Sequence, residues 1–148
     1  MNAAVSRSSL IKRFATFPER FATAARAVDG TPPPDGEWTP EEVTRHLIAV
    51  ETAVHQARLL DVAINDDPHW AWTEPSPWPG EPDLDLDGVL ERFAAMRAST
   101  VASVAALDGD GWARTGIHAT FGRLDIGGLL GIAIDHDEEH LRGFEGRP

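Results

Sequence analysis

The stretch DIGGLLGIAIDHDEEHLRGF, residues 125–144, combines apolar residues and histidines at helical spacing. Asp125 is a suitable N-cap, so the spacing predicts a helix from this residue to about Gly143. Four residues form one line along it, namely Leu129, Ala133, His136 and His140. Because this line also carries the apolar side chains, both histidines are predicted to lie on the buried face of the last helix.

Three earlier stretches show the same periodicity, namely residues 8–28, residues 40–65, and a stretch from 85 or 87 to about 107. The second has the clearest start, because Thr39 and Glu42 can form a capping box around Pro40. Pro18 predicts a kink or a restart within the first helix. Helices dominate and no clear pair of alternating strands is present. The predicted fold is therefore all-α, a four-helix bundle formed by a single domain over residues 1–148.

Two segments between the helices are predicted to be irregular. Residues 66–83, between the second and third helices, form a long loop rich in tryptophan and proline. Loops of this length are often functional, and its tryptophans are expected to be partly buried. The second segment, residues 111–124, contains His118, for which the pattern leaves open both a structural and a functional role.

The composition excludes several classes of protein. The net charge is −11 and Lys12 is the only lysine, which argues against a nucleic-acid partner. The longest apolar run, around residues 126–134, is too short to span a membrane. No signal peptide is visible, so a cytoplasmic location is expected by default. The chain has no cysteine, so any metal site must use imidazole and carboxylate ligands.

Three histidines are candidates for one metal site. His136 and His140 are four residues apart, which places them on the same helical face with Cβ atoms about 5–6 Å apart. His46 lies between Val43 and Val50 on the buried face of the second helix. A shared metal ion would supply a partner for all three imidazoles, but hydrogen bonds within the core would also satisfy them. The spacing alone leaves both interpretations open.

The acidic residues near these histidines are assigned simpler roles. Glu138 and Glu139 are predicted to face away from the buried stripe and to solvate the surface. Asp135 and Asp137 flank His136, and either could orient an imidazole or bind substrate, with at least one of them exposed to solvent.

Two known metal motifs fit the segment poorly. The spacing HDEEH resembles the zinc-protease pattern HExxH, but Asp137 stands where that pattern needs a glutamate base. The pair His136 and Asp137 resembles HD-type phosphohydrolases, which need a further metal-binding aspartate on a later helix. No later helix is predicted, so neither motif is adopted.

Several short segments taken together resemble the DinB-like superfamily of metal-binding four-helix bundles, which includes YfiT-type proteins and thiol-dependent S-transferases. The resemblance covers nearly the whole chain. Its segments are 38–43, His46-Leu47 with Glu51, 111–116 with His118 and Gly122, 125–130, and His136-Asp137 with His140-Leu141. In that family, one histidine of the second helix and two of an HxxxH pair in the last helix hold the metal. The matching positions here are His46, His136 and His140.

The resemblance implies a protein that binds one divalent metal ion, with zinc or nickel favoured and iron or copper as alternatives. It implies a metal-dependent enzyme that activates either a low-molecular-weight thiol for S-transfer or a water for hydrolysis. The alternative is a non-catalytic bundle that binds a metal or a small ligand. A small-molecule substrate is the expected partner, and a homodimer is expected because similar proteins often form dimers.

Overall fold

The computed structural model describes residues 6–145. Helix α1 (Arg7–Val28) is followed by α2 (Pro40–Val50), which continues through a π-helical segment (Glu51–Gln56) into α3 (Ala57–Ile64). Helix α4 (Leu86–Ala105) comes next, then the short α5 (Gly109–Ala113) and finally α6 (Ile126–Glu145). Because α2, the π-helical segment and α3 form one continuous rod, the described part of the chain has four long helical elements. The predicted four-helix bundle is confirmed.

The start of α2 shows how local sequence fixes a helix end. The Thr39 hydroxyl accepts a hydrogen bond from the Glu42 amide at 3.2 Å, and the Glu42 carboxylate accepts one from the Thr39 amide at 3.0 Å. This reciprocal pair satisfies two backbone donors that a helix otherwise leaves unpaired. The predicted capping box is therefore confirmed. Helix α1 runs through Pro18 as one element, so the helix does not restart there.

The bundle closes because α1 packs against both α4 and α6, while α2 packs against α4. Four phenylalanines mark the centre of one half of the core: Phe17, Phe21 and Phe93 contact one another and Phe144 contacts Phe21, with ring centroids 5.3–6.2 Å apart. Edge and tilted contacts of this kind add to the stabilisation from burial. The core therefore extends between α1 and the two helices that flank it.

The buried face of the second helical rod differs from the predicted one. Leu60 and Ile64 are 62% and 68% exposed, whereas Val54 and Val62 are buried. The π-helical segment explains the difference, because its wider turns rotate all later side chains relative to regular α-helical spacing. The extension of the apolar stripe into α3 was therefore wrong.

The two segments predicted to be irregular contain three short strands. Strand β1 (His69–Trp70) pairs in parallel with β2 (Gly116–His118), and β2 pairs antiparallel with β3 (Gly122–Leu124). Such short strands show no alternation that a sequence pattern could reveal. Gly116 permits the close packing of Trp70, because a Cβ atom at this position would lie 2.1 Å from the indole. The small sheet ties the loop after α3 to the segment before α6.

A buried arginine holds the rest of the tryptophan-rich loop. The Arg45 guanidinium donates hydrogen bonds to the carbonyl oxygens of Trp78 at 3.2 Å, Gly80 at 2.6 Å and Glu81 at 3.0 Å. These bonds fix residues 78–81 against α2. The predicted partial burial holds for Trp70 and Trp78, but it was wrong for Trp72, whose side chain is 54% exposed.

Candidate metal centre

The three predicted histidines lie together where α2 meets α6. The ring centroid of His46 is 5.5 Å from that of His136 and 4.9 Å from that of His140. The centroids of His136 and His140 are 4.7 Å apart. One nitrogen from each ring and one carboxylate oxygen of Glu74 all lie within 4.8 Å of one another. Donor atoms this close can point at a single cation.

Glu74 was not anticipated as part of this cluster. Its Oε1 atom lies 2.9 Å from His46 Nε2 and 3.6 Å from His136 Nε2. The residue belongs to the tryptophan-rich loop and its side chain is 45% exposed. Because a loop has no periodicity that predicts direction, only the unusual length of the loop pointed to this region.

The hydrogen bonding of His46 favours a role for this residue as a metal ligand. Its Nδ1 lies 2.7 Å from the carbonyl oxygen of Pro75, and a carbonyl only accepts, so Nδ1 carries the proton. In the neutral ring, Nε2 therefore presents a lone pair to the cluster. This atom is fully buried and makes no hydrogen bond of acceptable geometry within residues 6–145. A buried lone pair without a donor partner is available to a cation, so the residues present fit a metal ion.

Burial keeps the two histidines of α6 in the form that binds metals. It lowers the pKa of His140 to about 3, assisted by the neighbouring His136 and His46 rings. Burial also lowers the pKa of His136, although the Glu74 carboxylate opposes this effect. Both imidazoles are therefore neutral at pH 7, and neutral imidazole is the form that ligates a metal.

These shifts predict a pH dependence for the metal-free protein. His140 titrates near 3 when folded and near 6.5 when unfolded, so the unfolded chain binds more protons between these values. The contribution of His140 to stability should therefore rise with pH across this window and level off above it, opposite in sign to that of Asp137, whose folded pKa is raised. Replacing His140 with glutamine should reduce the slope by up to about 1.4 kcal/mol per pH unit, measured by urea unfolding with a chelator present.

The matched control is His69→Gln, because His69 is exposed and lies outside the cluster. This variant should keep the wild-type slope. A His140→Gln protein with an unchanged slope would contradict the predicted depression of the His140 pKa.

Three members of the cluster, Glu74, His136 and His140, line an open cavity of about 490 Å³, and His46 is buried behind them. Aromatic side chains line another part of this cavity, and Glu139 adds a second carboxylate near His136. The lining of this open cavity includes Trp38, Val43, Trp72, Glu74, His136 and His140. A small molecule that enters the cavity therefore meets apolar surface and the histidine cluster together.

The other acidic residues of α6 have separate roles. Asp135 and Glu139 are exposed, as predicted for at least part of this group. Glu138 forms an ion pair with Arg20. Asp137 is buried instead and pairs with the buried Arg97 at 3.0 Å.

Arg97 is the centre of a buried ionic triad. Its guanidinium lies 2.9 Å from a Glu51 carboxylate oxygen and 3.0 Å from an oxygen of Asp137. It also stacks over the Phe14 ring at 3.7 Å from the centroid. Burial raises the pKa of Asp137 to about 7 despite the opposing effect of Arg97, because two carboxylates share one cation in a dry environment. Because Asp137 directly follows His136 in the chain, the triad lies beside the histidine cluster.

The remaining histidines lie elsewhere. His118 is on β2, where its Nδ1 accepts hydrogen bonds from the amides of Thr120 at 2.9 Å and Phe121 at 3.3 Å. These bonds give it a structural role in the turn between β2 and β3. His55 lies on the π-helical segment, and its ring centroid is 6.4 Å from that of His136. The helical periodicity of the sequence did not predict that His55 lies close to the candidate site.

Fold and site together define a helical bundle with a histidine-rich cluster open to a cavity. The profile of the DinB superfamily matches residues 6–143, so the chain belongs to this superfamily. The fold is similar to that of YfiT from Bacillus subtilis, described as a probable metal-dependent hydrolase with an unusual four-helix bundle topology. That similarity has a TM-score of 0.72 at 18% identity, and it covers 98% of this chain and 89% of YfiT. No curated protein sequence matches the chain significantly.

None of the helices within residues 6–145 is both long and apolar enough to cross a membrane.

Proposed function

We propose that this protein is a metal-dependent enzyme that holds one divalent ion through His46, His136 and His140 and activates a water or a low-molecular-weight thiol. The observation that carries the proposal is the convergence of these three imidazoles beside an open cavity, which His136 and His140 line while His46 is buried behind them. Three protein ligands beside an accessible space are the usual arrangement of a catalytic metal site.

The donor set restricts the ion. Three imidazoles and a nearby carboxylate suit zinc or nickel best, with iron or copper as alternatives. When bound, such an ion acts as a Lewis acid that makes a coordinated protic group more acidic.

Glu74 is the proton acceptor in this proposal. Its carboxylate lies in front of the Nε2 atoms of His46 and His136, at the edge of the cavity that a substrate would enter. A general base has to lie within hydrogen-bond reach of the proton that it removes. The backbone carbonyl of Pro75, one residue later, orients the His46 ring. One short piece of the loop would thus supply both the base and the support for a ligand.

The nucleophile is either water or a thiol brought by the substrate. Similarity to YfiT, described as a probable metal-dependent hydrolase, supports water. The chain has no cysteine, so a thiol nucleophile would have to come from a low-molecular-weight cosubstrate. The aromatic walls formed by Trp38 and Trp72 would contact the organic part of a small-molecule substrate in either case.

One observation favours a second candidate function, a non-catalytic metal-binding protein. If Glu74 completes a set of four protein donors around zinc, the shell is closed and resembles a structural site. The same cluster would then stabilise the fold or hold a small ligand without turnover.

Activity of metal-loaded protein separates the two. The protein is loaded with zinc or nickel and tested on esters and amides, and on thiols paired with electrophiles. We expect turnover with one of these panels that is lost in His46→Ala and retained in His69→Ala. Metal-loaded protein that turns over neither panel would contradict an enzymatic role and favour the second candidate. The expected homodimer and the cytoplasmic location remain predictions.

A further inference from the structure

A second, smaller cavity also borders His136, and Glu74 is not among the residues that line it. We call it the inner cavity; its volume is about 40 Å³. Its walls are mostly apolar and come from α1, α2, the π-helical segment, α3, the tryptophan-rich loop and α6. They include Phe14, Val50, Val54, Leu129 and Ala133. Two imidazoles, those of His55 and His136, are also part of this lining.

Two ring nitrogens of these imidazoles are buried without a hydrogen bond to any residue in the described part of the chain. They are Nε2 of His55 and Nδ1 of His136. One nitrogen of each ring and a carboxylate oxygen of Asp137 lie within 4.8 Å of one another. Buried polar atoms in native proteins nearly always have a partner, so the two unpaired ring nitrogens point to a ligand of the inner cavity.

A neutral ligand suits the group better than a second cation. Arg97 donates to both carboxylate oxygens of Asp137, at 3.2 Å to Oδ1 and 3.0 Å to Oδ2. A metal ion bound to Asp137 would therefore face a fixed positive charge at short range. A single water requires roughly 10–15 Å³ and two to four polar partners, and the inner cavity supplies both.

The position of the proton on the His136 ring explains what this water would bind. His136 presents Nε2 to the candidate metal centre, so a metal ligand at Nε2 requires the proton to be on Nδ1. Metal-bound histidines almost always donate this second proton to an acceptor, which fixes the ring orientation. His46 has such an acceptor in the Pro75 carbonyl. For His136, the inner cavity offers the unpaired Nε2 of His55, whose ring centroid lies 6.4 Å from that of His136.

We propose that His55 is a positioning residue for His136. One water in the inner cavity accepts a hydrogen bond from the His136 Nδ1–H group and donates a hydrogen bond to His55 Nε2. Asp137 lies outside the lining of the inner cavity, and its carboxylate stays paired with Arg97. This arrangement holds the His136 ring with Nε2 directed at the metal. The inference rests on the proposed function, since it requires that His136 binds a metal.

Two substitutions test it. His55→Phe removes the acceptor while keeping an aromatic ring in edge contact with Phe14, which lies 6.0 Å from His55 between centroids. His55→Gln keeps an acceptor oxygen on a flexible side chain. The zinc dissociation constant is measured by competition with a chromophoric chelator. The His136 Nδ1–H proton is followed by NMR in the zinc-loaded protein.

We expect His55→Phe to weaken zinc binding by about 10–100-fold and to shift the His136 Nδ1–H resonance, and we expect His55→Gln to restore most of the affinity. Equal affinity of wild type and His55→Phe would overturn the inference, as would a His55→Gln protein as weak as His55→Phe. Two zinc ions per chain, with the second lost in His55→Phe, would also overturn it. Failure of the wild type to bind zinc would overturn the proposed function and this inference with it.

Discussion

Replacing Arg97 with methionine should lower the free energy of unfolding at pH 7 by about 3–5 kcal/mol. The guanidinium is buried between Glu51 and Asp137, and it also donates to the Phe14 carbonyl oxygen at 2.9 Å. Methionine fills much of the same volume but leaves the two acidic groups without their cation. An uncompensated buried carboxylate is costly because it has lost its hydration. Urea unfolding measures the change.

Arg92→Met is the matched control, since Arg92 is on the same helix and receives the same substitution. Arg92 pairs with Glu81 at the surface, where both side chains are more than two-fifths exposed. Such pairs contribute about 0–1 kcal/mol, so this variant should be close to wild type. Similar losses in the two variants would contradict the role of the buried triad.

Replacing Glu74 with glutamine should lower kcat by about 10²–10⁴-fold in the metal-loaded protein, because the amide cannot accept the proton of the nucleophile. The three histidines come from helices and should still hold the metal, so metal content should stay near the wild-type value. Steady-state kinetics and elemental analysis on the same preparation measure both quantities.

Glu139→Gln provides the comparison, because Glu139 lines the same open cavity but lies outside the histidine cluster. Its kcat should change little. Loss of metal in Glu74→Gln would show that Glu74 is a ligand and would contradict its assignment as the base.

The helices and the three histidines could be predicted because their signals are local and periodic. The capping box of Thr39 and Glu42 defines the start of α2, and the spacing of His136 and His140 places both on one face of α6. His46 follows from the apolar neighbours on its own helix. Convergence of the three residues then requires only that the buried faces of α2 and α6 meet, as the bundle dictates.

The parts that could not be predicted depend on contacts between distant residues. Glu74 reaches the cluster because the loop is held by the hydrogen bonds of Arg45 and by the small sheet. Nothing near Glu74 in the sequence indicates its direction.

Arg97 and His55 were missed for different physical reasons. A charged residue is normally expected at the surface, and the burial of Arg97 depends on two carboxylates contributed by other helical segments. His55 approaches His136 because the π-helical segment changes the angular spacing of the side chains. A regular 3.6-residue period does not describe that turn.

Elemental analysis of tag-free protein tests the central claim most directly, with wild type, His46→Ala, His136→Ala and His69→Ala compared after the same purification. The account predicts about one metal ion per chain in wild type and His69→Ala, and loss of the ion in the other two. Wild-type protein without metal, even after incubation with zinc or nickel, would contradict the account and leave the histidines as hydrogen-bonded residues of the core.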